Sequence, residues 1–132
     1  MKKPVPIRFV LDASAVMALL LAEPGSELVI EAIKDGVMSA VNLTEALSKL
    51  HERGMAISKA SQTLRSFQMQ IEPFDEKLAH MAAALRRPTM QYGLSLGDRA
   101  CLAVAQQLAY PVMTADKAWA KLDLGLEIKL IR

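Results

Sequence analysis

Residues 8–11, Arg-Phe-Val-Leu, form a short run with little polar content, and Asp12 follows at once. Such a run suits a strand buried on both faces of a sheet, which predicts a first strand over residues 7–11. A helix is expected over 13–21. Glu23-Pro-Gly-Ser26 breaks it, and Ser26 is placed to cap a second helix over 27–34 that buries Leu28, Val29, Ile30 and Ile33. Asp35-Gly36 ends that helix, and residues 37–40 read as a short strand. Asn42 is expected to cap a third helix reaching Arg53, with Leu43, Ala46, Leu47 and Leu50 on one stripe and Gly54 as its stop. A fourth helix over 58–70 turns Leu64, Phe67 and Met69 inward. Residues 71–74 make a strand, an edge one given Pro73. Asp75 starts a fifth helix to about residue 87, with Leu78, Met81, Ala82 and Leu85 apolar; residues 89–94 read as a loop. Ser95 opens a sixth helix through 109. A strand over 110–114, a short helix over 116–121 and a last strand over 127–131 complete the pattern.

Short strands alternating with helices predict a three-layer α/β/α sandwich around a mainly parallel sheet of about five strands. The sequence has no internal repeat and no linker, and its 132 residues fit one domain over 1–132.

Composition narrows the function classes. The chain is 52% hydrophobic and 23% charged, which is ordinary for a globular protein. A net charge of +2 gives no strong global field for nucleic acid, and 5% aromatic residues argue against a base-stacking sheet. The one cysteine, Cys101, excludes an internal disulfide framework and fits a reducing compartment. The basic start Met1-Lys-Lys-Pro-Val-Pro6 is not followed by a signal-peptide shape, and no segment reaches the roughly 20 apolar residues of a membrane span. A soluble, cytoplasmic protein with no membrane partner is expected.

The acidic residues carry the chemistry. Asp12 follows the first strand and Asp116 the strand over 110–114. Glu45 is expected in the first turn of the third helix and Asp98 in the first turn of the sixth. In a parallel sheet the carboxyl ends of the strands share one edge, so Asp12, Glu45 and Asp116 converge there; Asp98 joins them if its helix starts at that edge. Two unit charges about 4 Å apart repel by roughly 4 kcal/mol at an effective dielectric of 20. Such a group therefore holds protons or a cation, and all-oxygen ligands suit Mg²⁺ or Mn²⁺ rather than Zn²⁺. A metal of this kind activates water and stabilises charge at phosphorus, which implies hydrolysis of a phosphodiester. Each acid also has a plainer role. Asp12 and Asp116 fit helix caps, Asn42-Leu-Thr-Glu45 and Ser95-Leu-Gly-Asp98 fit capping boxes, and the macrodipole favours acids at helix starts. Ser95 and Thr114 are either hydroxyls that hold carboxylates in place or a cap and a strand end.

Other residues offer less. His51 and His80 have no partner at zinc spacing, and Cys101 lies among small apolar residues with no histidine base suggested. A Gly-rich phosphate loop is lacking. Arg86-Arg87, Lys117 and Lys121 are solvated faces or contacts to an RNA backbone. The apolar surplus of the first two helices lines a partner groove or is simply buried.

Val-Leu-Asp12-Ala-Ser-Ala, Asn42-Leu-Thr-Glu45-Ala, Ser95-Leu-Gly-Asp98-Arg-Ala and Thr114-Ala-Asp116-Lys-Ala-Trp resemble the acidic motifs of PIN-domain ribonucleases, in detail those of the VapC toxins of type II toxin–antitoxin systems. The similarity spans nearly the whole chain, in order; Trp119 stands where the family often has Phe. The resemblance implies helices around a parallel sheet and an endoribonuclease site for Mg²⁺ or Mn²⁺, with Asp12, Glu45, Asp98 and Asp116 as the acidic residues. It also implies a homodimer, an RNA substrate such as tRNA or rRNA, inhibition of translation, and a cognate antitoxin that silences the toxin. Two other readings fit part of the pattern. A signalling receiver also gathers acids at strand ends and binds Mg²⁺, but Asp116-Lys117 fits it poorly and Asp12 has no adjacent second acid. A non-catalytic RNA-binding protein on the same fold is the other.

Overall fold

Five short strands form the frame on which the functional side chains are arranged. They are β1 (Val10–Leu11), β2 (Val37–Ser39), β3 (Gln70–Glu72), β4 (Val112–Thr114) and β5 (Ile128–Leu130). In this computed structural model residues 7–132 are described, so the basic start over residues 1–6 lies outside the described residues. The strands form one parallel sheet in the order β3-β2-β1-β4-β5. Val10 stands opposite Val37 on one side and Val112 on the other, and Leu11 opposite Met113. The ladders are shorter than the apolar runs, but backbone bonds continue beyond them, from Val37 N to Phe9 O and from Ile131 N to Thr114 O.

Alternation along the strands sorts the core into two layers. Val10, Val37 and Val112 pack with α5 (Glu76–Ala84), α7 (Leu96–Leu108) and Trp119. Leu11, Met38 and Met113 face the other way, onto α1 (Ala13–Leu20), α2 (Ser26–Ile33), α3 (Ala40–Glu52) and α4 (Ile57–Arg65). The fold is the expected α/β/α sandwich. Burial on both faces explains why the central strands carry almost no polar residues. β3 is one edge, with Gln70 and Ile71 exposed, and β5 is the other. Order 3-2-1-4-5 also separates the chain from the 2-1-3-4-5 winding of receiver domains.

Several local expectations change. Ser26 does not cap α2. Gly25 does, at φ 94°, and a Cβ there would overlap the Ile131 carbonyl. Asn42 does not cap α3, because Ser39 at the end of β2 accepts from Val41 N at 3.1 Å and starts the helix three residues earlier. The fourth helix stops at Arg65, and Gln68 takes a positive φ before β3. The segment read as the end of the fifth helix and a loop is a further short helix, α6 (Arg86–Thr89), and a 3-10 turn over Met90–Tyr92. Pro88 has no N–H with which to continue the α5 ladder. Of the apolar surplus in the first two helices, most is half-buried or buried, whereas Ile30 is 59% exposed. No helix among the described residues is long and apolar enough to cross a membrane.

Candidate active site

Strand order fixes where the site lies. The chain winds outward from β1 through β2 to β3, then returns to the other side of β1 as β4. The crevice above the carboxyl ends of β1 and β4 is therefore the point at which an open α/β sheet binds ligands. Asp12 follows β1 there, and Thr114 ends β4 beside it.

Asp12 is 4% exposed. Its Oδ1 accepts from the Ala15 backbone at 2.9 Å, which caps α1, and from the Ser14 hydroxyl at 2.7 Å. Its Oδ2 accepts from the Thr114 hydroxyl at 2.6 Å. Thr114 Oγ1 in turn accepts from the Asp116 backbone N–H at 3.1 Å, and Ser14 Oγ accepts from Ala115 N at 2.9 Å. One hydroxyl pair thus ties the end of β1 to the turn after β4. Burial pushes the Asp12 carboxyl above its ordinary range; the bonds from Thr114, Ser14 and Ala15 oppose this, and the charge of Asp98 adds to the rise. None of the salt bridges among the described residues involves Asp12.

Glu45 reaches the same edge differently. It lies in the second turn of α3, beyond the cap, so the expected capping box with Asn42 does not form. Asn42, 1% exposed, instead donates from Nδ2 to Glu45 Oε1 at 2.8 Å and to the Gly97 carbonyl at 3.1 Å. That bond joins the starts of α3 and α7. Gly97 leaves room for the carboxylate, because a Cβ at this position would overlap the Glu45 oxygens. Asn42 Oδ1 is buried without a partner.

Asp98 and Ser95 form the capping box of α7. Ser95 Oγ accepts from Asp98 N at 3.1 Å and Asp98 Oδ2 accepts from Ser95 N at 2.9 Å, which leaves Oδ1 of Asp98 uncommitted. Asp116 is exposed and its Oδ1 accepts from Ala118 N at 3.0 Å, capping the 3-10 turn over Lys117–Lys121.

Cys101 feels the charge of three of the carboxylates. It is fully buried in α7, and burial pushes its thiol well above the usual range; Asp12, Asp98 and Glu45 all push it further. Asp116 is not among them: its backbone N–H donates to Thr114 Oγ1, while its carboxylate caps the 3-10 turn. Among the described residues no three His, Cys, Asp or Glu side chains already stand at metal-holding distance.

The donor chemistry fits a hard divalent cation. The site offers only oxygen ligands, and Mg²⁺ keeps several waters while taking one or two carboxylates. A buried carboxylate with a raised pKa and no cationic partner is costly when ionised, and a cation offsets that cost. Sequence reasoning missed the Ser14 hydroxyl and the Gly97 gap. Ser14 was visible two residues after Asp12, whereas the Gly97 contact spans 55 residues and leaves no local signal.

Comparisons with known proteins show the family and the fold. The family model described as PIN domain matches residues 9–124. The fold is similar to a chain of DNA-bound VapBC from Salmonella typhimurium, at 15% identity over 96% of this chain and 100% of that one, with a TM-score of 0.72. It is similar to VapBC-5, a member of the VapBC family of toxin–antitoxin systems from Mycobacterium tuberculosis, at 28% identity, 96% and 99% coverage and a TM-score of 0.63. A third is VapC20 of Mycobacterium tuberculosis, a sarcin–ricin loop cleaving toxin, at 17% identity, 87% and 96% coverage and a TM-score of 0.71. No curated protein matches the sequence.

Proposed function

The chain belongs to the PIN domain family, and from that premise we propose that it is a divalent-metal-dependent endoribonuclease, the toxin of a type II toxin–antitoxin pair that inhibits translation. The observation that carries the nuclease reading is Asp12: a buried carboxyl with a raised pKa, no cationic partner, and Asp98 within electrostatic reach.

Asp12, Asp98 and Asp116 would hold Mg²⁺ or Mn²⁺ directly or through water, with Glu45 completing the site. When bound, such an ion lowers the pKa of a water and stabilises charge on the phosphoryl oxygens. Thr114 and Ser14 fix both oxygens of Asp12, so its position does not depend on the ligand. Asn42 holds Oε1 of Glu45, which leaves Oε2 to orient the attacking water and accept its proton. The N-terminal ends of α1, α3 and α7 supply partial positive charge that eases the crowding of carboxylates.

Chains of similar fold come from VapBC structures, one of them described as a toxin–antitoxin system, which supports a cognate antitoxin as partner here; a cytoplasmic homodimer is part of the same proposal. The sarcin–ricin loop target of one relative supports structured RNA as the substrate class. The test is cleavage of structured RNA with Mg²⁺ or Mn²⁺. Asp12→Asn and Asp98→Asn are each expected to lower the rate by at least about 100-fold. Undiminished cleavage in both would overturn the assignment.

A further inference from the structure

An acidic site repels the polyanion it is meant to cut, so cations must meet the strand beside the carboxylates. Arg86, Arg87, Lys117 and Lys121 are exposed and were the sequence's candidates. The structure offers a better-placed pair.

A cavity of about 420 Å³ opens beside Ser14, and Met17, Lys49, Glu52, Arg53 and Arg132 line it. Ser14 donates to Asp12 Oδ1, so the cavity begins one side chain from the buried acid. Arg132 is engaged: it lies 3.6 Å from Glu23 and donates to the Pro24 carbonyl. Lys49 and Arg53 take no part in the salt bridges among the described residues, which are His80–Glu76 and Arg132–Glu23. Both are exposed at the carboxyl end of α3. Four residues apart at that end, they stand one above the other, with Cβ atoms about 5–6 Å apart. Met17 and Leu21 give the same cavity an apolar wall. Glu52 on the same wall keeps the net charge modest, so the pair acts by placement rather than by a broad field.

We propose that this cavity seats the phosphate backbone of RNA on the α1/α3 side of the scissile bond, with Lys49 and Arg53 each neutralising one phosphate. The proposal rests on the nuclease reading and names where its substrate lies.

Its test is binding of a fluorescent single-stranded RNA oligonucleotide to the full chain in the presence of a chelator, across a salt series. Lys49→Gln/Arg53→Gln is expected to lower affinity at low salt by about tenfold or more. It should also reduce the slope of log K against log salt by about 1.4, roughly 0.7 for each phosphate contact on a single strand. Lys34→Gln/Lys59→Gln removes the same charge from exposed positions elsewhere and should keep the wild-type slope. An unchanged slope in the first variant, or an equal loss in the second, overturns the proposal. RNA cleavage assayed in parallel separates the two readings. Metal-stimulated cleavage by wild type, with unchanged RNA binding by Lys49→Gln/Arg53→Gln, removes the cleft and leaves the nuclease. RNA binding that depends on the pair, with no cleavage by wild type, removes the nuclease and keeps the cleft.

Discussion

Asn42 looks like a helix cap in the sequence and is instead a buried bracket. Its amide spends both hydrogens, one on Glu45 Oε1 and one on the Gly97 carbonyl, so the position of Glu45 depends on α7 as well as on its own helix. Gly97 makes the arrangement possible by lacking a side chain. Gly97→Ala therefore separates stability from activity. Alanine is the better helix residue by about 0.5–1 kcal/mol, and the overlap falls on the end of a flexible side chain. The expected outcome is a thermal midpoint equal to or above wild type and RNA cleavage reduced by about 10–100-fold, read from melting curves and initial rates on the same preparation. A lower midpoint with full activity would contradict this account of Gly97.

Elements show what the sequence could reveal and what it could not. The capping box of α7 was legible because Ser95 and Asp98 are local to each other, and the structure has both of its bonds. The strand after Asp35-Gly36 and the edge position of β3 were legible from composition and from Pro73. The start of α3 was not, since Ser39 and Asn42 are both good caps and the choice between them was made by where β2 ends. The break between α5 and α6 was obscured by Leu85, which is buried and continues the apolar stripe. Lys49 and Arg53 carry no mark in the sequence, because a cavity between α1 and α3 has no signature in either helix alone. For α7 the consequence is measurable. Ser95→Ala removes the acceptor of the Asp98 N–H and should cost about 1 kcal/mol, determined by denaturant unfolding. Undiminished stability would mean that the box does not hold the helix start.

On the scale of the whole molecule, the sheet order places a buried acid at the crevice and its stability follows pH in a defined direction. Asp12 binds its proton more tightly in the folded protein than in the unfolded chain, because burial raises its pKa. Its contribution to stability is present below the unfolded carboxylate pKa of about 3.9 and is lost as pH rises through the raised folded value. Metal-free protein should therefore melt lower at neutral pH than in mild acid on account of this group. Mg²⁺ should restore stability at neutral pH, by about 2.7 kcal/mol when present at 100 times its Kd. Asp12→Asn should weaken both effects and melt above wild type when a chelator is present. Thermal melts across pH, with chelator and with Mg²⁺, decide this, and an unmoved wild-type midpoint on adding Mg²⁺ would refute it. The same crevice has an underside. Cys101, the chain's one sulfhydryl, is fully buried where α7 packs on Val10, Val37 and Val112 of the sheet, so an alkylating reagent reaches it when α7 parts from the sheet. The molecule carries a built-in clock for the opening of its own site, and occupancy from above would slow its ticking.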